Sequence, residues 1–173
     1  MSSLIFIAAI FLVVLVVITV IKSISSGKGS IGFPYQPAKT LFSAAERSFL
    51  GVLDQAVGAE YRVFGKVRVA DIASVKAGLS KSAHQGALNR IAAKHFDFVV
   101  CRANDLSVVC VVELNDKSHS SKRALNRDDL LAKVCQSIQL PLLTVPAKQA
   151  YSMAELREKF HSTISKSNVP AGT

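Results

Sequence analysis

Apolar residues run from Leu4 to Ile21 with Thr19 as the single polar interruption, and beyond that stretch they recur in shorter, periodic groups. As a helix, this run of about 18 residues would cover about 27 Å, the thickness of a bilayer's hydrocarbon core. Residues 1–22 therefore predict a transmembrane anchor. Residues 23–40 are rich in Ser, Gly and Pro and predict a flexible linker, with a root-mean-square reach of roughly 20 to 25 Å. Ser43-Ala44-Ala45-Glu46 is a capping-box pattern, followed at helical spacing by Phe49, Leu53 and Val57 and then by Gly58 as a stop. Tyr61, Val63, Val67 and Val69 alternate with polar residues, which predicts a half-buried strand.

A helix is predicted over 82–95, with His84, Leu88, Ile91 and His95 on one side. The apolar runs 96–101 and 106–114, separated by Ala103-Asn104-Asp105, read as a β-hairpin. Residues 123–139 predict a helix with Leu131, Val134 and Ile138 inward, and 141–145 a short strand between prolines. A second capping box, Ser152 to Glu155, opens a last helix through Leu156, Phe160 and Ile164. The order α-β-α-β-β-α-β-α places the fold in the α/β class, with one domain over 41–165 and a disordered tail over 166–173.

Charge adds direction. No Lys or Arg precedes Leu4, whereas Lys22, Lys28 and Lys39 come before the first acidic residue, Glu46. The absence of a basic leader and of a small-x-small cleavage pattern favours an uncleaved anchor over a signal peptide. The positive-inside rule then predicts a single pass, with the N-terminus outside and the C-terminal domain cytoplasmic. Cys101, Cys110 and Cys135 lie in apolar surroundings without CxxC spacing, which suits buried free thiols in a reducing compartment. The formal net charge of +9 belongs to the region after the apolar run, from Lys22 onward. It suits two partners, anionic lipid of an inner membrane leaflet and DNA or RNA.

Candidate chemistry rests on carboxylates in otherwise apolar strands. Asp97 interrupts Phe96 to Val100, and Glu113 ends the run that starts at Val108. A charge placed there is costly unless it is paired or bound to a metal. A hairpin symmetric about residue 105 sets Asp97 opposite Glu113 on one face, about 5 Å apart. Two carboxylates so close call for a cation, and an all-oxygen set favours Mg2+. Asn115 shares that face, with Asp116 and His119 following, and Arg127 and Asp128 begin the next helix. Structural readings stand beside these. Asp97 can pair with Arg68 or Arg90, Glu113 with Lys117, and Asp128 can complement a helix N-terminus or hold Arg127. Glu46 is better explained as a cap than as a ligand, and His84 and His95 as residues of a helix face.

The segments Lys94-His95-Phe96-Asp97-Phe98-Val99, Glu113-Leu114-Asn115-Asp116-Lys117-Ser118-His119, Arg127-Asp128 and Leu140-Pro141-Leu142-Leu143 together resemble a bacterial domain family of unknown function. That family is similar to the restriction-endonuclease-like PD-(D/E)XK superfamily, and its ELDxxxH stretch to the very-short-patch repair endonucleases. The resemblance runs from about Leu41 to Phe160. It implies a restriction-endonuclease-like core, a mixed central sheet flanked by helices, behind an anchor in a bacterial inner membrane. It further implies a phosphodiesterase site in which Asp97 and Glu113 hold Mg2+, His119 orients or activates water, and Asp128 assists. Asn115 is a third candidate metal ligand, and Lys117, Lys122, Arg123 and Arg127 are candidate contacts to nucleic acid.

The chain departs from the pattern at two charged positions. Asn115 stands where the superfamily has Lys and the closer family has Asp, and Thr144 stands where a basic residue is expected after Leu142-Leu143. A neutral amide supplies neither charge nor base, so a non-catalytic nucleic-acid-binding module or a membrane-proximal scaffold remains an alternative. Lys117, Lys122 and Lys133 are the nearby lysines that are candidates to substitute. The chain has no GxxxxGK[ST], GxSxG or HExxH sequence, which leaves nucleotide hydrolysis, esterase and zinc-peptidase readings without their defining residues.

Overall fold

The computed structural model describes residues 2–26, 32–115 and 122–167. It contains two compact units, Met1–Lys39 and Thr40–Thr173. Helix α1 (Ser2–Ser26) dominates the first. Its stretch Ile5–Lys22 has a mean hydropathy of 3.1 and could cross a membrane by length and composition, properties that a signal sequence shares. Between Ile5 and Ile21 its large apolar side chains are exposed. Residues 32–40 carry no helix or strand, while 27–31 of the expected linker lie outside the described residues.

In the second unit, α2 (Ala44–Val57) starts on the expected capping box. The Ser43 hydroxyl accepts the Glu46 N–H, and the Glu46 carboxylate accepts the Ser43 N–H at 2.8 Å. Four strands follow: β1 (Tyr61–Arg68), β2 (His95–Arg102), β3 (Val108–Asn115) and β4 (Leu142–Pro146). They lie side by side in that order, β1, β2 and β3 antiparallel and β4 parallel to β3. Parallel neighbours need a crossover. Helix α5 (Lys122–Ser137) lies in that connection.

Helices cover both faces of the sheet. On one, Phe49 and Leu53 of α2 and Leu156 and Phe160 of α6 (Met153–Ser167) pack with Phe98, Val100, Cys110, Val112 and Leu143. On the other, Ile91 of α4 (Lys81–Ile91) and Leu131 and Cys135 of α5 pack with Phe96, Val99 and Val111. Burying both faces explains why β2 and β3 read as almost continuous apolar runs. All three cysteines are buried and free.

Three local expectations change. Val69 opens the short helix α3 (Val69–Ile72) instead of closing β1. The predicted helix at 82–95 stops at Ile91 and His95 opens β2, while His84 is exposed. Leu106, expected to start a strand, sits exposed in the turn with φ 57°. Asp105 holds that turn by accepting the Ser107 N–H and hydroxyl. The Ser152 hydroxyl accepts the Glu155 N–H, the hydroxyl half of the second capping box.

Strand β1 also changes face within its length. Tyr61 and Val63 pack on the α2 side, yet Val67, of the same parity, packs on the α5 side. Simple alternation forbids this. The change coincides with Lys66, whose φ of 56° lies in the left-handed region that costs a non-glycine residue roughly 1–2 kcal/mol.

Candidate metal and anion cleft

The β2–β3 register pairs Phe98 with Val112, Val99 with Val111 and Val100 with Cys110. One step further, Asp97 and Glu113 face each other as the hairpin symmetry predicted. The register slips by one residue nearer the turn, where Cys101 pairs with Val108. At the far end, side chains take over from the ladder. The Asp97 N–H donates to Glu113 Oε1 at 3.0 Å, and the Leu114 N–H donates to Asp97 Oδ2 at 3.1 Å. Both residues are nearly buried, Asp97 6% and Glu113 8% exposed. Each carboxylate is thereby locked in place by the backbone of the opposite strand.

Two cations complete the arrangement. Arg127 Nη2 of α5 donates to Glu113 Oε2 at 3.3 Å, and its Nε lies 3.5 Å from Asp128 Oδ1. Lys66 Nζ bridges Glu46 Oε1 and Asp97 Oδ1, the latter at 3.4 Å. These groups line a cleft of about 520 Å³ together with Asn115, Asp129 and Thr144. Thr144 stands beside Glu113 across the parallel β3–β4 pair.

Burial is the largest influence on Glu113 and pushes its pKa up. The neighbouring Asp97 carboxylate adds to the rise, while the Asp97 N–H and Arg127 only partly offset it, leaving a value of about 7. For Glu46, burial is again the largest single effect and acts upward, but Lys66 and the Ser43 N–H together outweigh it and hold the pKa low. Burial would lower the Lys66 pKa, and its two carboxylate partners raise it instead.

The structure brings Asp97, Glu113, Asn115, Arg127 and Asp128 to one cleft. His119 and Lys117 lie outside the described residues, and nothing is described of the Lys122 and Arg123 side chains. Lys133 pairs with Asp129 at 2.7 Å on the surface of α5 and does not line the cleft. Arg68, a possible partner of Asp97, instead pairs with Asp71. Sequence reasoning missed Lys66 altogether and gave Glu46 only its capping role. Gly65-Lys66 sits in the middle of the β1 alternation, and its composition gives no sign of the backbone inversion that accompanies Lys66's position in the cleft.

Among the described residues, no group of three or more His, Cys, Asp or Glu side chains is close enough to hold a metal ion. Two carboxylates and the Asn115 amide are nevertheless a donor set of the right kind for Mg2+, which takes one or two carboxylates and keeps several waters. Fitting an ion would require Asp97 and Glu113 to exchange contacts now made with Lys66 and Arg127.

Residues 38–164 match the family described as "Protein of unknown function (DUF2726)". The chain belongs to this family. The DUF2726 segment contains the whole cleft, from Glu46 to Thr144, and nearly all of the second compact unit. No curated protein and no solved structure matches the chain.

Proposed function

We propose that this DUF2726 protein is a membrane-anchored, Mg2+-dependent nuclease of the restriction-endonuclease-like kind, cleaving phosphodiester bonds in DNA or RNA near the cytoplasmic face of a bacterial inner membrane. One observation carries this reading: Asp97 and Glu113 are buried, face each other across two strands, and open onto a cleft that also holds Lys66 and Arg127. A mixed sheet flanked by helices, with both carboxylates at one end of its central hairpin, also suits the restriction-endonuclease-like resemblance.

In this reading Asp97 and Glu113 hold the ion, and Asn115 supplies a neutral oxygen or an amide hydrogen bond. Bound Mg2+ would stabilise charge developing on phosphate and lower the pKa of a water. Arg127 stands beside Glu113 to meet a phosphate oxygen, and His119 remains the proposed group that orients water. The basic surface draws in the polyanion, and α1 restricts which nucleic acid can arrive.

The test is cleavage of labelled DNA and RNA by the full chain in detergent, with Mg2+ or Mn2+. Wild-type protein should cut in a metal-dependent manner, and Glu113→Ala should reduce the rate at least 100-fold. Equal rates for the two proteins, or no cleavage of either polymer, would refute the enzymatic reading. Asn115 and Thr144, neutral where charge is expected, favour a second reading in which the domain binds nucleic acid without cutting it. Salt-sensitive binding that survives Glu113→Ala, without cleavage, would select it.

A further inference from the structure

Lys66 is the cleft residue whose position has the most costly local geometry. A lysine in a strand has no intrinsic reason to adopt φ 56°, and such strain persists where the surroundings over-determine it. Here the surroundings are specific. Gly65 precedes it, Val67 turns to the opposite core, and the ammonium lies between Glu46 of α2 and Asp97 of β2. The side chain is largely withdrawn from solvent, with 28% exposure. Among the described residues, every carboxylate oxygen of Asp97 and Glu113 has a donor: Lys66 and the Leu114 N–H on Asp97, Arg127 and the Asp97 N–H on Glu113.

The two backbone donors are fixed by the sheet, whereas the two cations sit on flexible side chains. Arg127 is about half exposed and has Asp128 as a second partner, so it can leave Glu113 without losing all compensation. Lys66 has a second partner too, because Glu46 can keep the ammonium when Asp97 gives it up. A divalent ion on Asp97 and an ammonium on the same carboxylate would repel each other at close range.

Resting on the nuclease reading of this cleft, we propose that Lys66 is a tethered counter-cation that competes with a divalent ion for Asp97. Ion binding and release of Lys66 from Asp97 are one exchange. Lys66 swings towards Glu46, remains in the cleft, and is then placed to meet an anion such as phosphate on the bound substrate. Lys66 is therefore a positioning residue for cation and anion alike, supplied by β1 rather than by the position of Asn115.

The test is Mn2+ binding to the full chain in detergent, by calorimetry and by paramagnetic resonance. Lys66→Met keeps length and backbone strain but removes the charge; it should bind Mn2+ about tenfold more tightly than wild type. Lys66→Arg should return the affinity towards wild type. In the presence of saturating Mn2+, inorganic phosphate should bind wild type and Lys66→Arg but at least tenfold more weakly to Lys66→Met. If Lys66→Met is too unstable to purify, Lys66→Gly removes both charge and strain and should show the same tightening. Equal Mn2+ affinity in wild type and the neutral variants would overturn the role of Lys66 and leave the metal site standing. No Mn2+ binding by any of them would remove the metal site and this exchange together.

Discussion

Glu113 is the residue on which folding stability and the proposed chemistry pull in opposite directions. Its carboxyl is raised from the ordinary 4.5 to about 7, mainly by burial and then by Asp97. Between those values the folded chain holds a proton that the unfolded chain has released, so stability falls as pH rises through that window. The loss is on the order of 2–3 kcal/mol. Glu46 has the opposite sign, but its lowered pKa places its effect below 4.5, outside the window. Denaturant unfolding of wild type and Glu113→Gln from pH 4.5 to 8 should therefore diverge, the variant lacking this fall and being the more stable at pH 8. Parallel curves would mean that Glu113 is already ionised at neutral pH. A bound divalent ion should flatten the wild-type curve by favouring the carboxylate. At this scale the sequence showed the pair clearly, because a hairpin register sets which residues stand opposite. It could not show Lys66, whose place depends on a backbone dihedral that its residue type disfavours.

At the level of elements, the union of α2 with β1 and β2 depends on a missing side chain. A Cβ on Gly65 would collide with the ring of Phe42, which stacks on Phe98 at 5.8 Å between centroids. Glu46, in the first turn of α2, is the partner of Lys66, so this packing also bears on the cleft. Gly65→Ala should destabilise the domain by about 1–3 kcal/mol through overpacking. Phe42→Leu in the same chain should recover part of the loss, since it removes the obstructing ring. Thermal unfolding of the two single variants and the double variant measures the coupling, and strict additivity would show that Phe42 is not the obstacle. Most elements were legible in sequence because amphipathic spacing and Ser caps are local signals, as at Ser43 and Ser152. The failures lie where tertiary packing wins: Val69 leaves its strand to enter a buried helical turn, and His95 joins β2 beside Arg68 instead of extending α4.

At the scale of the molecule, one unit carries an exposed apolar helix and the other the cleft. If α1 is an anchor, its task is to choose where the cleft works and not how it works. Both Leu12 and Val13 lie within the apolar stretch and are exposed. Arginine at either position would cost roughly 2.5–3.5 kcal/mol on insertion, so the pair Leu12→Arg/Val13→Arg should be enough to release the chain from membranes. Wild-type protein should resist alkaline carbonate extraction and keep the α1 sequence in its intact mass. The double variant should appear in the soluble fraction while cutting or binding free nucleic acid in solution as wild type does, because no cleft residue is changed. Loss of α1 from the mature wild-type chain would show a signal sequence instead and would place the domain beyond the membrane, away from chromosomal DNA. Retention of α1 with unchanged fractionation of the double variant would mean that the domain's basic surface, not the helix, holds it to the lipid.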